Sequence, residues 1–73
     1  GSQGEAYAFL RRSPEQTVLV LLNFSAEEQT YTLTGEAQPL SNKIGKELLT
    51  GREVNLSDNV SLAPWEVMII AFA

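Results

Sequence analysis

No cysteine and no histidine occur among the 73 residues. Without a thiolate there is no disulfide framework, no redox couple and no soft-metal ligand. Without imidazole, the commonest general base and a principal zinc ligand are missing. A single aspartate, Asp58, leaves the chain short of the clustered oxygen ligands that calcium needs. Any Ser or Lys nucleophile would lack an evident neighbour to activate it. Basic residues are scarce as well: five Lys and Arg stand against nine Asp and Glu, a formal net charge of −4, and they never run longer than Arg11-Arg12. Such a chain is not expected to track a phosphate backbone. No apolar run reaches the length of a membrane span, and no charged-then-apolar leader opens the sequence. The expectation is therefore no cofactor, no metal, no nucleic-acid partner and no membrane partner, and the lack of Cys suits a cytoplasmic protein.

What is present is the composition of a folded domain, with 44% hydrophobic and 19% charged residues. Its length allows one unit and leaves no room for a separate catalytic one. Residues 1–4 are expected to be a cloning remnant and flexible start, with Gly1-Ser2 the remnant, and residues 5–73 the domain. Asn23, Asn55 and Asn59 each open an Asn-x-Ser triplet; these read as chance occurrences, since Asn23 closes an apolar run where a sugar would fit poorly.

The apolar residues fall in short runs, alternating or continuous, between turn signals. Residues 5–12 and 16–24 form two strands of a hairpin about Ser13-Pro14-Glu15. Residues 29–34 alternate, with Tyr31 and Leu33 on one face, as a half-buried strand does. A long connection over residues 35–46 crosses between sheets, and short strands follow at 47–50, 53–56 and 60–63, the last two joined by a tight hairpin at Ser57-Asp58-Asn59. Pro64 precedes the closing strand, residues 65–72. About seven short strands and no helix-period segment predict an all-β fold, an antiparallel two-sheet β-sandwich of Greek-key type, with a small closed barrel as the alternative.

Glycoside hydrolysis requires two facing carboxylates about 5–9 Å apart. The acids here lie mostly at strand ends and turns, and none is spaced i, i+2 on one strand face, so they read as solvated surface charge. No catalytic residue is assigned. Trp65 and Tyr31 are candidates for stacking on a sugar ring, although a lone Trp opening an apolar strand after Pro64 is better explained by packing.

Four segments stand in register along the chain: Phe9-Leu10-Arg11, Asn23-Phe24-Ser25, Leu48-Leu49-Thr50-Gly51 and Leu62-Ala63-Pro64-Trp65-Glu66. Together they are similar to the C-terminal all-β domain of the α-amylase family of glycoside hydrolases, in the branch of oligo-1,6-glucosidases, neopullulanases and related maltodextrin-acting enzymes. The resemblance runs from Ala6 to Phe72. It implies a non-catalytic accessory domain that packs against and stabilises the (β/α)8 barrel of a retaining α-glucan or maltodextrin hydrolase, the catalytic acids lying in that barrel. A carbohydrate-binding module and a free-standing protein-interaction domain are the alternatives.

Residues 18–22 and 67–71 are apolar at every position, so both faces of those strands must be covered. Asn23 and Glu66 are taken to mark the less buried parity. That choice puts Val18, Val20, Leu22 and Phe24 in the core, and Ala8, Leu10, Leu19, Leu21, Met68 and Ile70 on an outer face that docks on the barrel or, in the isolated chain, drives dimerisation. Asn23 itself is expected to bond backbone groups of the turn at Ser25-Ala26.

Overall fold

The structure is a computed structural model and describes residues 2–72. Val, Ile, Leu and aromatic runs too short for helices pair as strands: β1 (Ser2–Gln3), β2 (Ala6–Arg12), β3 (Thr17–Asn23), β4 (Gln29–Thr32), β5 (Ile44–Glu47), β6 (Glu53–Asn55), β7 (Asn59–Leu62) and β8 (Val67–Phe72). They form two antiparallel sheets, as a β-sandwich requires. The larger has the order β1-β2-β3-β8-β5-β6, and β4-β7 makes the smaller. Residues 2 and 3, expected in a flexible start, pair with Tyr7 and Ala6.

The expected hairpin joins β2 to β3, closed where Ser13 N donates to Gln16 O at 2.9 Å. Three sequence-based assignments change. Residues 35–40 form a 3-10 helix that drops Ala37 and Leu40 into the core. The strand expected at 47–50 lies at Ile44–Glu47, because Gly51 N bonds Glu47 O and curls residues 48–51 into a turn, with Gly51 at φ 76°. Residues 53–56 and 60–63 are not a hairpin. β6 pairs with β5 and β7 with β4, and between them Leu56 bonds Lys43 O and Asn42 N while the chain changes sheets.

The core lies between the sheets. Ala6, Ala8, Leu19, Leu21, Ile70 and Phe72 come from the large sheet, Tyr31, Leu33, Val60 and Leu62 from the β4-β7 side, and Leu56 from the crossing. Leu10 and Met68 pack against its margin. Gly45 permits the closest approach: a Cβ there would stand 2.5 Å from Ile70 Cγ2 and 2.9 Å from Ala71 O.

The face assignment made from sequence is therefore reversed. Leu19, Leu21 and Ile70 are fully buried, Ala8 is buried, and Leu10 and Met68 are partly so, whereas Phe24 is 65% exposed and Val18, Val20 and Leu22 are only half-covered. The six residues do share a face, but it is the core. Asn23 misled because its polarity was read as exposure, while the fold buries it with its hydrogen bonds satisfied.

Candidate docking face

The outer face of the large sheet is built by strand register. Successive residues alternate sides, so Tyr7, Phe9 and Arg11 of β2 point away from the core, as do Val18, Val20 and Leu22 of β3 and Val67, Ile69 and Ala71 of β8. Pairing aligns them in three rungs: Tyr7–Leu22–Val67, Phe9–Val20–Ile69 and Arg11–Val18–Ala71. Eight of these nine side chains are apolar or aromatic. Lys46, opposite Ala71, and then Glu53 extend the third rung, which gives the face a charged margin. Leu48, whose N–H donates to Ile69 O at 2.7 Å, stands exposed at the end of the second.

At the other margin the first rung runs into an aromatic corner. Phe24 and Trp65 meet edge to face, ring centroids 5.6 Å apart and planes at 90°, with Trp65 59% exposed. The corner is knitted from two separate segments. Asn23 N bonds Glu66 O at 2.9 Å, Trp65 N bonds Ser25 O at 3.1 Å, and Ala63 N bonds Glu66 Oε1 at 2.8 Å. Asn23, 2% exposed, sends its carboxamide Nδ2 to Glu27 O at 2.7 Å, Ala63 O at 3.0 Å and Leu62 O at 3.2 Å, while Oδ1 accepts from Ser25 Oγ at 2.8 Å. The expected bond to the local turn is present, through Glu27. The clamp on the β7 end was not anticipated, because nothing in sequence places residue 62 beside residue 23.

Ala63-Pro64-Trp65-Glu66 closes a turn with a 3.0 Å bond from Glu66 N to Ala63 O, and Trp65 takes φ 60° at the third position. Glycine or asparagine normally sits there. A bulky residue in the left-handed region costs about 1–2 kcal/mol. The strained turn carries an exposed indole set against an exposed phenyl ring, and strain of this kind clusters at functional positions.

The turn at residues 48–51 is held by a buried carboxylate. Glu47 Oε2 accepts from Ile69 N at 2.9 Å and Oε1 from Thr50 N at 2.8 Å and Thr50 Oγ1 at 3.0 Å. The Ile69 N–H above all, with the Thr50 groups, lowers the Glu47 pKa against the opposing effect of burial.

Of the two residues put forward for sugar contact, Tyr31 is in the core, 3% exposed, and offers no face to solvent; Trp65 is open. Each of the four resembling segments supplies at least one large exposed apolar side chain: Phe9, Phe24, Leu48 with Leu49, and Trp65. These segments thus reach the surface as well as the core.

The model of one protein family, described as the cyclo-malto-dextrinase C-terminal domain, matches residues 2–71. The chain belongs to that family. The α-amylase-family resemblance is thereby shown, and the chain is a non-catalytic C-terminal domain of that kind. Domains of this family normally pack with the catalytic barrel of their parent enzyme. Among curated proteins none matches the chain.

Proposed function

We propose that this domain serves an α-glucan- or maltodextrin-hydrolysing enzyme as an accessory that packs against its catalytic barrel through the outer face of the large sheet and stabilises it. The observation that carries the reading is the three-rung apolar face, because a solvated sheet face would alternate to polar residues. An exposed apolar surface this continuous marks an interaction site. Its margin of Arg11, Lys46 and Glu53 has the character of a polar rim around an apolar centre. In this reading the parent works with retention, in the oligo-1,6-glucosidase and neopullulanase branch, and the acids that cleave the glycosidic bond reside in the barrel.

The test is Val20→Lys, at the centre of the face. In the parent enzyme it should shorten the half-life of activity at elevated temperature, and in the isolated chain it should leave the thermal midpoint nearly unchanged. Equal half-lives for the variant and wild-type parent enzymes would refute the docking role.

A further inference from the structure

Within the docking reading, on which this inference rests, the Phe24–Trp65 corner has properties the flat rungs lack. Its backbone is fixed by bonds between two distant segments, with the N–H groups of Asn23, Phe24, Trp65 and Glu66 all donated internally. No backbone edge is left there for an added peptide strand to pair with. The rings stand perpendicular, so they offer no shared plane on which a sugar chain could lie. They stand beside the Tyr7–Leu22–Val67 rung, Phe24 directly after the end of β3 and Trp65 in the turn just before β8. With the corner, the apolar face spans three neighbouring strands, β2, β3 and β8. A surface that broad suits a folded partner rather than a single extended peptide or an oligosaccharide.

We propose that the Phe24–Trp65 corner is the anchor of the docked domain, a preset aromatic knob that inserts into an apolar pocket of the catalytic barrel of the same polypeptide. Trp is enriched among residues that dominate interfaces, and a side chain held in place before docking loses little freedom on binding. The left-handed φ of Trp65 aims the knob, and the Asn23 clamp keeps it aimed.

Two variants separate anchoring from folding. Trp65→Gly removes the ring and relieves the positive φ, and Trp65→Asn removes the ring at a residue that tolerates it. Both isolated variants should melt within about 5 °C of wild type, while the parent enzyme carrying either should lose activity at elevated temperature about tenfold faster or more. A much lower melting point for both isolated variants would overturn the proposal by making Trp65 an internal brace. If Val20→Lys weakens the parent and neither Trp65 variant does, the anchor fails and the docking face stands; if none of the three does, both fall. Trp65 is the single Trp of the chain, so its fluorescence reports on it alone. A saturable change on adding maltoheptaose to the isolated chain, with no loss in the variant parent enzymes, would assign the corner to sugar instead.

Discussion

The two faces of β3 differ less in side-chain character than in what covers them. Inward go Leu19, Leu21 and Asn23, and outward go Val18, Val20 and Leu22. The buried face carries the polar residue, and the half-exposed face is wholly apolar. Burial in this strand is decided by the availability of partners: Asn23 finds four within its own fold, whereas the outer valines and leucine find only their cross-strand neighbours on the same face. Polarity is a poor guide to depth where a carboxamide can be fully bonded, and apolarity is a poor guide on a sheet face that the domain's second layer does not cover.

Charging each face in turn should break this symmetry most sharply. Leu21→Lys puts an unpaired ammonium in the core, and the penalty exceeds the roughly 4–11 kcal/mol that holds a chain of this length. It should give an unfolded protein by circular dichroism. Asn23→Ala comes next. Removing the carboxamide leaves the buried Leu62 and neighbouring carbonyls without their donor, at a cost of about 2–3 kcal/mol, measurable as a lower denaturation midpoint in urea with an unchanged slope.

Glu47 sharpens the comparison by pH, since its folded-state pKa is lowered. Its stabilising contribution is complete above the unfolded value, about 4.3, and is lost as pH falls through the depressed folded value. Glu47→Gln should therefore melt below wild type near neutral pH, and the gap should close on acidification below about pH 4. A gap independent of pH would mean that the carboxylate's charge contributes nothing. The smallest effect belongs to the outer face. Phe9→Lys should shift the stability of the isolated chain by no more than about 0.5 kcal/mol, while light scattering over a concentration series should show the wild type self-associating through this face and the variant remaining monomeric.

The sequence by itself determined the all-β class, because short Val- and Leu-rich runs between Pro, Gly, Asn and Ser signals support nothing else. It determined the β2–β3 hairpin, since the turn residues and both strands are contiguous. The four resembling segments were legible as well, and with them the family to which the chain belongs. That residues 18–22 of β3 and 67–71 of β8 are apolar toward both faces was also legible, from their unbroken runs.

Only the tertiary structure decided which face is which. Period-two alternation fixes the grouping of Leu19 with Leu21 and of Val18 with Val20, but it is blind to the direction in which each group points. That direction was set by distant contacts: the Leu62 and Ala63 carbonyls that make a buried Asn23 tolerable, and the Tyr31, Val60 and Leu62 side chains that share one core with Leu19 and Leu21. The break between β6 and β7 was hidden for the same reason, because Leu56 is drawn out of a hairpin by Asn42 and Lys43 of another segment. So was the corner, whose exposed rings come from residues 24 and 65 and are held in place by hydrogen bonds between groups that no local window of sequence contains together.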